Sequence, residues 1–315
     1  MVIYDGQMDR TPYKNIVGAE MEAIAKADAD VVYLDADLMS SMGTYKFWKS
    51  NPRQAINCGV AEANMIGIAG GLSAGGKKPY VHSFGPFASR RCYDQVFLSI
   101  AYAGNSARIF GTDPGVTAAF NGGTHMPFED IALYRAIPGA TVIEISDGAM
   151  LKSLMWQLKE HKGLTYIRTT RKGYPAVYSD DHPLQIGKGE VLREGTDVTI
   201  IACGLMVGEA MKAASMLAGE GVSARVIDMF TIKPIDCELV CKAAQETGKI
   251  VTAENHSVIG GLGDAVANAL IECGRFVPIK KVGVQDQFGS VGPQEYLQEY
   301  YGLTAAKIVE TVKSL

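Results

Sequence analysis

One carboxylate stands out in INCGVAEANMIGIAGG, the stretch that opens at Ile56. Glu62 falls where a strand pattern gives way to a helix whose other residues, Ala63, Met65, Ile66, Ile68 and Ala69, are small or apolar. An acid in that company is either exposed on the first turn, where it complements the helix dipole, or desolvated and ready to give and take a proton. Position alone leaves the two readings even. His125, in NGGTHMPF, lies in a glycine-rich loop between strand and helix and has little structural reason to be there, which favours a functional role. Asp37 ends the strand pattern VVYLDAD, at the carboxyl edge where open sheets gather ligands. Phe84 and Phe87, three apart in SFGPF, suit a core by composition. Arg90 and Arg91 either reach an anion or form a solvated helix start.

Other signatures are missing. Neither G-x-G-x-x-G nor GxxxxGK[ST] occurs. GGLGD from Gly260 could turn backbone amides toward an anion, but a tight turn between strand and helix accounts for its glycines. Six cysteines are too sparse for a disulfide scaffold, and no CxxC or HxxxH pair marks a metal site held by this chain. Cys237 and Cys241, four apart in a helical pattern, read as free thiols buried like small hydrophobes.

The elements that must hold these residues alternate short β-branched runs with longer helical patterns, which predicts an α/β chain with parallel sheets. Strand patterns start at Val31, Gln54, Pro79, Ala107, Thr141 and Thr165. The pattern then breaks into the polar, turn-rich YSDDHPLQIGKGEVLREGTD from Tyr178. A second series follows: VTIIAC, ARVIDMF, KIVTAEN and PIKKVGV, with helices over 206–218, 236–245 and 263–273. This predicts two domains, 1–184 and 185–315, each a largely parallel sheet flanked by helices, the second with four strands.

Composition agrees. A chain of 315 residues with 47% hydrophobic and 20% charged side chains can bury two cores. Its net charge of −4 argues against nucleic acid and anionic membranes as partners. No run approaches a membrane span and the first residues carry no export signal, so a cytoplasmic location is expected.

GVAEANMIGIAGGLSAGGKKPYVHSFGPFASRRCYDQ and NGGTHMPFEDIALYRAIPG resemble the pyrimidine-binding domain of transketolase and deoxyxylulose-phosphate synthase, families that use thiamine diphosphate. With AENHSVIGGLGDAV further on, the resemblance extends to the second half of transketolase over essentially the whole chain. It implies that Glu62 exchanges a proton with a ring nitrogen of the cofactor's aminopyrimidine. It also implies that Phe84 and Phe87 stack on or enclose that ring, that Asp37 lies near the thiazolium, that Arg90 helps bind the cofactor and that His125 faces its amino group and the sugar. Apolar neighbours would keep Glu62 neutral and able to donate. Stacking then outranks core packing for Phe84 and equals it for Phe87.

Transketolase holds a substrate phosphate with two arginines, a serine and a histidine. Arg10, Ser41 and Arg171 match three of these, with Arg168 an alternative to Arg171. Where the family commonly reads SHAGVSAGEDGPTH, this chain has TDPGVTAAFNGGTH, so Asp113 replaces the histidine and Asn121 replaces an aspartate that senses a donor hydroxyl. An aspartate beside a phosphate dianion is repulsive unless protonated or turned away. Either the loop is displaced and two arginines suffice, or the substrate ends in something other than an ordinary sugar phosphate, such as a sulfonate or a neutral chain.

The family's diphosphate-binding domain carries a GDG motif and a downstream asparagine, which together hold the magnesium. No GDG occurs in this chain. The resemblance therefore implies the C-terminal subunit of a split transketolase, transferring a two-carbon ketol unit to an aldose phosphate. A partner with the diphosphate-binding domain would supply the Mg2+ ligands, in a two-plus-two heterotetramer. A 2-oxo-acid dehydrogenase beta subunit and a non-catalytic regulatory paralogue are the alternative readings.

Overall fold

Val31–Asp35, Ala107–Thr112, Thr141–Glu144 and Leu164–Thr169 are buried at every position. Strands with no exposed face belong inside a parallel sheet covered by helices on both sides. The computed structural model, which describes residues 1–315, has them there. Its strands are β1 (Val31–Asp35), β2 (Ala55–Asn57), β3 (Lys78–Phe84), β4 (Ala107–Thr112), β5 (Thr141–Glu144), β6 (Leu164–Thr169), β7 (Glu190–Arg193), β8 (Val198–Ala202), β9 (Ala224–Asp228), β10 (Thr231–Lys233), β11 (Ile250–Ser257) and β12 (Ile279–Val284). They form a seven-stranded sheet, β10-β5-β6-β4-β3-β1-β2, and a five-stranded sheet, β12-β11-β8-β9-β7. Both are parallel except at one edge, where β10 runs against β5 and β7 against β9. The protein is thus α/β with two helix-flanked sheets.

Two strands depart from the sequence-based expectation. The second sheet has five strands rather than four, because the four residues of β7 pair with β9 from within a segment that is polar and turn-rich in sequence. Thr231–Lys233, from the second half of the chain, completes the first sheet instead. Lys233 anchors it there by donating to the Arg135 and Ile137 carbonyls at 2.9 and 2.5 Å.

Between β3 and β1 the order of crossovers reverses. A reversal of this kind opens a crevice outside the carboxyl ends of the strands, where ligands of open α/β sheets bind. Three devices hold the segments around it. The helix Tyr13–Ala27 buries Tyr13, Val17, Met21 and Ile24, a spacing that lines up one face, against the helix Gly148–Leu158. Its first amides, of Tyr13 and Lys14, donate to the carbonyls of Lys172 and Arg171, tying the start of the helix to the segment after β6. Asn255 then locks the second domain on: its Oδ1 accepts the Val116 amide at 3.0 Å and its Nδ2 donates to the Pro114 carbonyl at 2.9 Å.

Cys241 also departs from expectation. It forms a disulfide with Cys273, the residue that ends the neighbouring helix Leu262–Glu272, whereas Cys237 remains a free thiol. The spacing of Cys237 and Cys241 on one helix face is visible in sequence, but a partner 32 residues away is brought close only by helix packing.

Candidate active site

Glu62 is the first residue of the helix Glu62–Ala74, and it is 3% exposed. The apolar face of that helix does surround it, but two polar groups reach the same oxygen: Arg91 Nη1 donates to Glu62 Oε1 at 3.0 Å and Ser83 Oγ at 3.3 Å. Of the two readings of Glu62, burial is the one realised, with a cation beside it that apolar neighbours did not foretell. Oε2 receives no protein donor and stays available. Arg91 therefore takes the inner place among the paired arginines. Arg90 turns outward to Glu129 at 2.6 Å and to the Thr124 carbonyl at 3.2 Å, so it braces the His125 loop.

Phe84, at the end of β3, and Phe87, one helical turn on, are half-buried and meet edge to face, with centroids 6.4 Å apart. His125 packs on both, at 5.7 and 5.0 Å, and its Nδ1 pairs with Thr124 Oγ1 at 2.9 Å. Arg91 lies over the Phe87 ring at 3.7 Å and Arg171 over the Phe84 ring at 4.9 Å. Partial burial, with the charges of Arg91 and Arg171, lowers the His125 pKa, which favours the neutral imidazole.

Below this cluster the strand ends are cross-linked. His82 Nδ1 pairs with Asp35 Oδ2 at 2.7 Å and its Nε2 with Thr112 Oγ1 at 3.0 Å, all three groups fully buried on adjacent strands. The sequence holds no signal for this chain of contacts, because its members lie 30 and 47 residues apart. Asp37 is exposed at the crevice and accepts from Asn57 Nδ2 at 2.8 Å, while Asn57 Oδ1 holds the Gly59 amide in the turn before Glu62.

Three non-glycine residues have positive φ, Asp37 (65°), Asp113 (54°) and Ala119 (48°); the first two come just after β1 and β4, and the third lies in the segment Gly115–Asn121. Such residues cost energy and cluster where function over-determines the backbone. Asp113 and Ala119 line a cavity of 490 Å³ together with Ser41, Asn121 and Arg171. The fold thus brings together four of the six residues matched to substrate binding. Asp113 does not point at the cavity as a lone charge. Its Oδ2 takes Arg171 Nε at 2.6 Å and Nη2 at 2.5 Å, and its Oδ1 takes the Arg171 amide at 3.0 Å. Asp113 is thus paired with an arginine of its own chain.

Two matched residues lie elsewhere. Arg10 is exposed and borders a separate recess with Asp9, Glu20 and Lys152. Arg168 is fully buried, which corrects its reading as an alternative anion ligand. Strand alternation turns it to the domain contact, where it pairs with Asp130 and Glu144 at 2.8 Å each and donates to the Asn255 carbonyl at 3.0 Å. GGLGD does turn its amides to an anion, but that anion is internal: Leu262 and Gly263 donate to Glu254 at 2.6 and 2.8 Å. Burial pushes the Glu254 carboxyl up to about 7. Lys14, Thr117 and Lys172 complete the cavity and were not legible as site residues in the sequence.

Residues 10–177 match the model of the transketolase pyrimidine-binding domain, and residues 187–308 match that of the transketolase C-terminal domain. The chain belongs to the transketolase family. The 6-deoxy-6-sulfo-D-fructose transketolase subunit SqwH of Clostridium sp. (strain MSTE9) is 51% identical over 90% of this chain and 88% of its own length. An apulose-4-phosphate transketolase subunit of Phocaeicola vulgatus is 37% identical over 91% of this chain and 92% of its own length. A solved structure described as a split gene transketolase, inactive beta4 tetramer, superposes with a TM-score of 0.89 at 41% identity and covers 96% of this chain and 97% of that one. This transketolase-family chain is accordingly a transferase subunit, and none of its helices is long and apolar enough to cross a membrane.

Proposed function

We propose that this chain is the C-terminal subunit of a thiamine-diphosphate-dependent transketolase that moves a two-carbon ketol unit from a sulfonated or otherwise modified ketose to an aldose phosphate. One observation carries the reading: the cavity of Ser41, Asp113, Asn121 and Arg171 adjoins the Phe84, Phe87 and His125 cluster through the Arg171 guanidinium, which contacts both. A reacting group at the aromatic cluster and an acid at the far end of the sugar would both be accommodated. The identity shared with a relative named for a sulfonated fructose supports the donor.

The residues present fit the aminopyrimidine half of thiamine diphosphate. Glu62 offers an unoccupied carboxylate oxygen for a ring nitrogen, and Phe84 and Phe87 offer half-open faces for a flat heterocycle. When bound, the cofactor supplies the carbanion chemistry. This chain's residues then have separate tasks. Glu62 exchanges a proton at the pyrimidine ring, with Arg91 and Ser83 fixing its carboxylate. His125, neutral at physiological pH, accepts or returns a proton at a sugar hydroxyl, and Asp37 contributes negative charge near the reacting end. No group of three His, Cys, Asp or Glu side chains is arranged to hold a metal ion. A partner subunit with the diphosphate-binding domain would supply the Mg2+ ligands, in a two-plus-two assembly.

The test is reconstitution with that partner, thiamine diphosphate and Mg2+. Ketol transfer from a sulfonated ketose to an aldose phosphate, seen only when both chains are present, is the expected result. Decarboxylation of a 2-oxo acid without ketol transfer, or transfer unaffected by Glu62→Ala, would overturn the reading.

A further inference from the structure

His82 lies in β3 two residues before Phe84, is fully buried, and has no task in the chemistry proposed above. Each neighbouring strand sends one buried polar side chain to its ring. Asp35, its registered partner on β1, is 2.7 Å from Nδ1, and Thr112 of β4, the registered partner of Phe84, is 3.0 Å from Nε2. Asp35 collects further donors. Its Oδ2 accepts the Tyr33 hydroxyl at 2.8 Å, its Oδ1 accepts the Leu38 amide in the turn that carries Asp37, and its carbonyl accepts the Cys58 amide at 2.9 Å in the segment leading to Glu62. Strands β4, β3, β1 and β2 are neighbours across the reversal in the sheet. One run of hydrogen bonds, from Thr112 through His82 to Asp35, therefore passes beneath four strand exits, and those exits deliver Asp113, Phe84, Asp37 and Glu62.

The polarity of the run follows from its members. A carboxylate only accepts, so the ring proton toward Asp35 sits on Nδ1. The Thr112 hydroxyl has no other partner, and a second ring proton on Nε2 would leave the hydroxyl's own proton buried without an acceptor. Thr112 therefore donates to Nε2, which makes the ring the Nδ1-protonated tautomer. Resting on the reading of a thiamine-diphosphate-dependent transketolase, we propose that His82 is a positioning residue with two separable tasks. Through Nδ1 and Asp35 it places the turn of Asp37 and the approach to Glu62, where the reaction occurs. Through Nε2 and Thr112 it places Asp113 and, with it, Arg171, whose guanidinium returns over the Phe84 ring at 4.9 Å. Asp37 and Asp113 both have positive φ, a conformation that costs energy and persists only where the surroundings hold it. Each follows closely on a residue tied to this ring.

Substitutions cut one tie at a time. In His82→Asn the amide nitrogen takes the place of Nδ1, which keeps Asp35 and releases Thr112. Thr112→Val removes the same tie from its other end, and Thr112→Ser retains it. In His82→Gln the amide oxygen takes the place of Nε2, which keeps Thr112 and releases Asp35. In the reconstituted two-chain enzyme, His82→Asn and Thr112→Val should each raise KM for the ketose donor about fivefold with kcat within twofold. Their double variant should be no worse than either single, since both cut one link. Thr112→Ser should behave as the wild type. His82→Gln should instead lower kcat about tenfold with KM within twofold. Changes in kcat and KM that follow Tm alike in every variant, or additive losses in the double variant, show a packing role and overturn the assignment. Nitrogen NMR of the full chain, labelled at its five histidines, is read without turnover. One ring should be protonated at Nδ1 and bare at Nε2, and that signal should vanish in His82→Asn. A His82 ring protonated at Nε2 overturns the Thr112 tie. A wild-type complex that moves no ketol unit from any donor refutes the transketolase reading and the kinetic roles with it, whereas the tautomer still decides whether the ties exist.

Discussion

The Arg91 guanidinium donates to Glu62 Oε1 at 3.0 Å while its plane covers the Phe87 ring at 3.7 Å. One side chain therefore positions both the acid and one aromatic wall of the proposed cofactor site. Arg91 is 45% exposed on its side chain, so the ion pair itself contributes about 1 kcal/mol or less to stability. Its value lies in geometry. Arg91→Met should lower kcat about tenfold with a small change in Tm, and Arg91→Lys should recover little, because an ammonium cannot both stack and donate in the same plane. Glu62→Gln, nearly isosteric, should reduce kcat about 100-fold or more while the fold melts normally. Steady-state kinetics beside thermal melts of the same preparations check both.

His125 carries the clearest pH expectation for activity. Burial, then Arg91 and Arg171, lower its pKa from the ordinary value. The neutral imidazole consequently persists into more acidic solution than for a free histidine, and the acidic limb of the kcat profile should fall below the ordinary value of about 6.5. Removing the larger of the two charge effects with Arg91→Met should move that limb toward higher pH.

Arg168 and Arg171 lie three residues apart and should fail in different ways. Arg168→Met strands Asp130 and Glu144 in the domain contact, and breaking a buried pair of this kind costs about 3 to 5 kcal/mol. A Tm drop of roughly 10 °C is expected. KM for an acidic sugar should be unchanged in whatever remains folded. Calorimetry with kinetics below the transition distinguishes this from a ligand role.

Asp228 is fully buried between Ser146 Oγ at 3.0 Å and Tyr178 Oη at 2.9 Å. Burial pushes its carboxyl up to about 8 against these two hydrogen bonds. A carboxyl raised in the folded state contributes stability that is complete at acidic pH and is lost as pH rises through that value. Asp228→Asn cannot ionise, so its Tm should gain on the wild type by several degrees between pH 5 and pH 9. A constant gap across that range would contradict the assignment.

The Cys241–Cys273 bond closes a separation of 32 residues. Chain-entropy arguments give such a loop about 3 to 4 kcal/mol. Reduction by dithiothreitol should lower Tm by several degrees in the wild type and leave Cys241→Ser unaffected. Because the bond lies on the outer helices of the second domain, activity at moderate temperature should not change.

The strand runs beginning at Val31, Ala107 and Thr141 were legible because a strand buried on both faces must be apolar along its length. β7 and β10 were not, since strands of three or four residues carry too little periodicity and owe their place to an edge left open by distant strands. The site divided along the same line. Glu62, Phe84, Phe87 and His125 sit in contiguous blocks, so their order along the chain already brackets one crevice. Arg90 and Arg91 are adjacent, and nothing in sequence says which turns inward; the 3-10 turn Arg90–Cys92 decides it.

By itself the sequence determined the α/β class, the family to which the chain belongs and the acid, aromatics and histidine that local motifs carry. The tertiary structure alone decided the charges. Pairing energy depends on separation in space and on burial, not on separation along the chain. Packing gave Arg168 to Asp130 and Glu144, Arg171 to Asp113, Arg91 to Glu62 and the GGLGD amides to Glu254.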